Sequence, residues 1–315
     1  MNALPAVETD AAALQNALRT LESIILGKPA QVRLCLACLL ARGHLLIEDV
    51  PGVGKTTLAH ALAHVLGLAW HRVQFTSDLL PADIIGVSVF DRATQQFHFR
   101  QGPIFTQLLL ADEVNRASPR TQSALLEAME ERQVSADLTT YPLPEPFFVV
   151  ATQNPHEQLG TFALPESQLD RFLMRVTLGY PDAAHERELL RSGERRDLLP
   201  RIVPALNPEA VVRIQAEVRK VHISEPLLDY AQGLIARTRD RADLKLGLSP
   251  RGGQGLIRAA QAWAYIANRR AVLPEDVQAV VPSVVAHRLE RRDSGGSADS
   301  LVIAQELIQS VPVPL

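Results

Sequence analysis

The run HLLIEDVPGVGKTTLAHALAHVLG, residues 44–67, constrains this chain more than any other stretch of its 315 residues. Residues 44–48 read as a short apolar strand that leads into a turn rich in glycine and proline. Leu58, Ala61, Leu62, Val65 and Leu66 then recur at helical spacing until Gly67 supplies a stop. A buried strand entering a glycine turn that opens a helix is the context in which backbone N–H groups close around phosphate oxygens. Gly52 and Gly54 permit the turn, Lys55 brings positive charge to β and γ phosphates, and Thr56 offers a hydroxyl to Mg2+. Val53 and Thr57 complete the binding set. One residue departs from the common pattern, because the position six before the lysine, normally glycine, is Asp49. Its carboxylate has to face away from the phosphates if the loop is to hold them.

The second piece of chemistry is LLLADE, residues 108–113, an apolar strand ending in two acids. Joined to the phosphate loop upstream, the pair divides the work of phosphoryl transfer to water. Asp112 serves the Mg2+ shell and Glu113 polarises the attacking water.

Around these motifs the pattern alternates between helix and strand. Helical periodicity covers residues 11–25 and 31–42, and apolar runs follow at 73–75, 108–111, 147–151 and 172–178. Such continuous runs suit a parallel sheet buried on both faces and covered by helices, an α/β sandwich over residues 1–181. Two stretches interrupt it, 86–102 and 133–146, and both read as projecting β-hairpins. Beyond Pro181 strand signals vanish. Asn207-Pro208, Ser224 and Ser249-Pro250 mark helix starts, so residues 182–315 are expected to form a smaller all-α domain, with a loop at RRDSGGSADS and a last helix at 301–308.

Composition narrows the remaining classes. Apolar residues make up 47% and charged residues 21%, which excludes a disordered chain, and the net charge of -3 gives no overall pull toward nucleic acid. Apolar runs fall short of the roughly 20 residues that cross a bilayer, so a cytoplasmic protein without membrane insertion is expected. Cys35 and Cys38 form a C-x-x-C pair, but no second ligand pair stands at zinc spacing, and the apolar run around them marks core residues.

Taken with ATQNP and LPESQLDRFLMR, the strings IEDVPGVGKTT and LLLADEVNRASPRTQSALLEAMEE resemble the MoxR family of AAA+ ATPases over nearly the whole chain. The resemblance implies a P-loop AAA+ core with sheet order 5-1-4-3-2, two hairpin insertions and a helical lid, and it makes Asp49 a variant the family tolerates. By the same resemblance Asn154 is the sensor that orients water near the γ-phosphate, and Arg171 is the arginine finger that reaches the neighbouring subunit's nucleotide, with Arg175 in reserve. Arg251, in the first turn of a lid helix, is the second sensor, and Gly27 belongs to the segment against adenine. ATP and Mg2+ are the implied ligands. A homo-oligomeric ring, with a hexamer expected, and a protein client are the implied partners, a von Willebrand factor A domain protein among them. The alternative is a nucleic-acid motor of the same AAA+ branch. Its hairpin would need a phosphate-tracking stripe, and residues 86–102 offer Arg92, His98 and Arg100 against Asp91, with Phe90, Phe97 and Phe99 between.

Overall fold

Leu45 and Ile47 point to one side of the central sheet and Leu46 to the other, and each side carries its own hydrophobic core. That period of two, with apolar residues on both faces, makes strand β1 (Leu45–Glu48) a buried central strand. The computed structural model describes residues 6–137, 139–155, 160–192, 199–200, 202–292 and 298–314. Helices α1 (Ala6–Ile24) and α2 (Pro29–Leu40) precede β1, and α3 (Lys55–Val65) follows it. Next come β2 (Trp70–Gln74), α4 (Pro81–Ile85), β3 (Gly86–Asp91), β4 (Gln96–Gln101), β5 (Leu108–Asp112), α5 (Pro119–Glu131), β6 (Gln133–Ala136), β7 (Thr139–Pro142), β8 (Phe148–Gln153), α6 (Glu166–Leu169) and β9 (Met174–Val176).

The sheet runs β2-β5-β8-β1-β9 with every pairing parallel. Counting these five strands alone and reading from the other edge gives 5-1-4-3-2, the order the resemblance implies. The apolar run at 108–111 falls on β5 and the run at 147–151 on β8, whose inner residues are buried. The expected strand at 73–75 starts three residues earlier. β2 is an edge strand whose sequence WHRVQ is half-exposed, so an apolar run is not what marks it. Two antiparallel hairpins, β3–β4 and β6–β7, stand off the sheet. They lean on each other, with Phe99 stacked on Tyr141 at 4.4 Å and the Ser88 hydroxyl donating to Asp137.

After β9 the named elements are all helical: α7 (Ala183–Ser192), α8 (Pro208–Val218), α9 (Glu225–Asp240), α10 (Pro250–Ile266), α11 (Pro274–Val285) and α12 (Ala298–Ser310). The caps follow the sequence. Asn207 Oδ1 accepts from Ala210 N at 2.8 Å, and Ser249 Oγ accepts from Gly252 N at 3.0 Å. Ser224 caps α9 by position without a side-chain bond. The expected last helix is α12, and the middle of RRDSGGSADS lies outside the described residues. This lid docks on the N-terminal helices, for α10 packs on α2 and α8 on both α1 and α2. Leu21 and Leu36 therefore share one core with Ile47 of the sheet and with Ile214, Leu256 and Val281 of the lid.

Cys35 and Cys38 are both buried in that core with free thiols. Burial pushes the Cys35 thiol up to about 12 and Cys38 well above its ordinary value, which makes both unreactive. Among the described residues no cluster suits a metal held by His, Cys, Asp and Glu alone, and no helix is long and apolar enough to cross a membrane.

Candidate nucleotide site

The turn after β1 adopts the backbone that its glycines allow. Gly52 has φ +85° and Gly54 has φ +95°, both left-handed, and a Cβ built on either would meet nothing within 4 Å. The space they leave open is part of a cavity of about 310 Å3 lined by residues from Pro51 to Thr57, with Asp112, Glu113 and Asn154 facing them. Gly54 caps α3, so the first N–H groups of that helix point into the cavity beside Lys55. Thr56 and Thr57 line it, whereas Val53 turns back and packs against the main core.

Asp49 does face away. One carboxylate oxygen, Oδ2, accepts from Leu178 N at 2.7 Å and Gly179 N at 2.6 Å, just beyond β9, and Oδ1 accepts from Val50 N at 2.8 Å. The charge is spent on backbone donors on the far side of the loop. Asp49 also presents its carbonyl to Lys55 Nζ at 2.5 Å, which parks the ammonium at the cavity edge. Burial pulls the Lys55 pKa down, and Asp49, Asp112 and Glu113 oppose that pull. An Asp49→Ala protein orphans three backbone N–H groups, one of them, that of Leu178, buried. It should lose about 2–4 kcal/mol of stability, whereas Asp49→Asn, which keeps an acceptor, should lose less. Urea unfolding of the three proteins measures this, and equal midpoints would show that the carboxylate does not anchor the loop.

The two acids at the end of β5, Asp112 and the following Glu113, are coupled by a residue that sequence reading passed over. Thr152 Oγ1 donates to Asp112 Oδ1 at 2.6 Å and accepts from Glu113 N at 2.9 Å. That second bond pins Glu113, whose φ of +57° is unusual outside glycine, so the strand end is held in a bent conformation. Arg72 from β2 engages Asp112 Oδ2 at 2.7 and 3.1 Å, and Glu113 Oε2 is held by Gln74 Nε2 at 2.8 Å and Arg116 Nε at 2.8 Å. A hint was present in the string ATQNP, where a hydroxyl residue ends an apolar strand. Its partners are set by strand order, which local patterns do not carry. The donors present suit Mg2+: Thr56 offers a hydroxyl and Asp112 a carboxylate, hard oxygens of the kind that ion takes alongside water and phosphate.

The other predicted residues lie elsewhere. Gly27 sits between α1 and α2 against the ring of His185, and its neighbour Lys28 donates from Nζ to the Tyr180 carbonyl at 2.7 Å. It does not line the loop cavity. Arg175 is mostly buried between β9 and β1, where it pairs with Glu48 at 2.7 Å. Arg171 and Arg251 line a second cavity of about 440 Å3 together with Gly43 and His44, which precede β1 at the end opposite the phosphate loop. Arg251 there pairs with Glu130 of α5 instead of facing its own chain's loop.

A five-stranded parallel sheet in this order, a glycine loop opening onto paired acids, and a helical lid define an AAA+ P-loop protein. The model of the ATPase family associated with various cellular activities matches residues 44–174, and an AAA lid domain model matches 236–307. The chain is 38% identical to chaperone MoxR1 of Mycobacterium tuberculosis over 96% of its own length and 82% of that protein, and it belongs to the MoxR family of AAA+ ATPases. It is also 43% identical to protein YeaC of Bacillus subtilis over 96% of its length and 95% of that protein. A crystal structure of a protein from Cytophaga hutchinsonii superposes with TM-score 0.87 at 35% identity, covering 98% of both chains.

Proposed function

We propose that this chain binds ATP with Mg2+ in the loop cavity and hydrolyses it to ADP and phosphate as one subunit of a cytoplasmic ring, using the cycle to remodel or mature protein complexes. One observation carries the reading. Gly52, Lys55, Thr56, Asp112, Glu113 and Asn154 converge on a single cavity, while Arg171 lies outside it toward the other end of β1. An arginine so placed serves a nucleotide only if another copy presents one. Head-to-tail contacts of that kind close into rings, and six subunits is the size proposed here.

Within the cavity the roles follow from chemistry. The N–H groups at the start of α3 and Lys55 receive the β and γ phosphates. Thr56 and Asp112 would hold Mg2+, which when bound supplies positive charge to those phosphates. Glu113 accepts the proton of the attacking water once it leaves Gln74 and Arg116, and Asn154 orients that water. Gly27 and its neighbours lie near the exit of β9, through Lys28 and Tyr180, and are proposed to meet the adenine. We set the boundary between the nucleotide domain and the lid after Pro181.

A protein client is favoured by the β3–β4 hairpin. Phe90 and Phe97 pair at its tip with ring centres 5.2 Å apart, and Phe97 is 71% exposed. Such an apolar tip suits a polypeptide better than a phosphate backbone. The chaperone name of the mycobacterial relative supports the same role, with a von Willebrand factor A domain protein as one proposed partner. Light scattering with and without ATP, alongside turnover with and without DNA, tests the reading. An ATP-dependent ring whose turnover ignores DNA is expected. A monomer indifferent to ATP would overturn the ring, and salt-sensitive stimulation by DNA would make the chain a nucleic-acid motor.

A further inference from the structure

The second cavity holds more positive charge than the fold neutralises. Six arginines line it, Arg42, Arg132, Arg171, Arg251, Arg258 and Arg288, against the carboxylates of Asp170 and Glu130. Several are committed. Arg288 is saturated by Asp170 and by the carbonyls of Phe172, Leu173 and Val284, which also uses up Asp170. Arg42 reaches outward to Glu145, Arg132 donates to the Arg42 carbonyl, and Arg251 holds Glu130. Among the described residues, the side chains of Arg171 and Arg258 make no hydrogen bond and no ion pair, and Arg258 Nε is buried without an acceptor. Arg258 faces the like charges of Arg219 and Arg251, with Glu130 as the nearby opposing charge. A guanidinium does not shed its proton to escape such a site, so the fold bears the burial and the repulsion. Removing them requires an anion from outside.

The geometry also fixes where Arg258 stands. It lies about two turns along α10 from Arg251, on the face that carries Gln254 and Gly255 into the same cavity. Gly255 is a close-approach point, since a Cβ there would come within 2.8 Å of Leu173 Cδ1. Helix α10 is thereby seated against the segment carrying Arg171, and the two unpaired guanidiniums are held in one frame. Planar forks that converge on a cavity of this size suit phosphate oxygens, which they bind in pairs.

We propose that this cavity receives the terminal phosphates of the nucleotide held by the adjacent subunit, and that Arg258 is a third arginine, beside Arg171 and Arg251, that touches them. The proposal rests on the ring reading above. It makes Arg258 a catalytic residue acting in trans, whose role in the isolated chain is unfavourable to stability.

Arg258→Met, which keeps the stem and drops the charge, separates function from structure. The variant should melt no lower than wild type yet lose roughly 10- to 100-fold in turnover. Mixing decides whether the action is in trans. In an equal mixture of Lys55→Ala subunits, inactive alone, and Arg258→Met subunits, which alone keep about a tenth of wild-type turnover or less, about one interface in four pairs an intact loop with an intact Arg258, so turnover should rise above that of either variant to about a quarter of wild type. Arg171→Ala mixed with Lys55→Ala runs beside it. Recovery in both mixtures supports the proposal. Recovery with Arg171→Ala alone overturns the role of Arg258 and leaves the ring standing, and recovery in neither overturns both. A free anion is the other source of phosphate. If inorganic tripolyphosphate raises the melting temperature of Lys55→Ala and Arg258→Met of that protein abolishes the rise, while the mixtures stay inactive, the cavity binds a soluble polyphosphate and the neighbour's nucleotide is ruled out.

Discussion

An Arg171→Ala protein is expected to bind ATP as wild type does and to lose roughly 10³- to 10⁵-fold in turnover, the range that an arginine finger supplies. Binding survives because Arg171 is absent from the loop cavity, whose lining comes from the glycine turn, the start of α3, Asp112, Glu113 and Asn154. Turnover falls because the neighbouring subunit's Arg171 no longer helps to offset the charge that develops on the transferring phosphoryl group. Arg175 cannot take over, since it is mostly buried and engaged with Glu48. Titration with a fluorescent ATP analogue and steady-state phosphate release together measure the split between binding and turnover. Full activity in the variant would remove Arg171 from the mechanism.

Glu113→Gln is expected to lose roughly 10²- to 10⁴-fold in hydrolysis, the usual worth of a positioned general base, while still binding nucleotide and still forming the ring. The amide matches the carboxylate in shape, so the bent strand end held by Thr152 through the Glu113 N–H survives the change. What disappears is an oxygen that can take a proton. In the resting pose Gln74 and Arg116 both engage Oε2 of this cavity residue, so the carboxylate has to exchange those partners for water before it can act. Phosphate release together with light scattering measures both halves, and turnover above a tenth of wild type would show that another group takes the proton.

These expectations could be written from the chain because the chemistry of the loop and the acid pair is local in sequence. A glycine, a lysine and a threonine in one turn, or two acids ending an apolar run, declare themselves without reference to the rest of the molecule. Asp49 shows the limit. Its identity was a visible departure, but its partners at Leu178 and Gly179 lie some 130 residues on and depend on β9 pairing with β1. Thr152 and Arg72 likewise reach Asp112 across 40 residues, through a strand order that local patterns do not encode. Arg251 was legible only in part. Its helix start at Ser249 was legible from the cap, yet the direction in which the helix faces is set by α10 packing on α2 and against Leu173. Edge strand β2 was misplaced by three residues because half-exposed edge positions tolerate His71 and Arg72, which blur the apolar signal.

The Asp49 carboxylate also has a mechanical meaning. Because it grips Leu178 N and Gly179 N while its own backbone carbonyl holds Lys55, it acts as a linchpin between the turn that would close on phosphate and the chain just before Pro181. Displacing the turn therefore strains both hydrogen bonds that tie it to that chain, one of them buried. The far end of the pin sits at Gly179, whose φ of +64° turns the chain toward α7 four residues on, so the loop and the approach to the lid share one anchor.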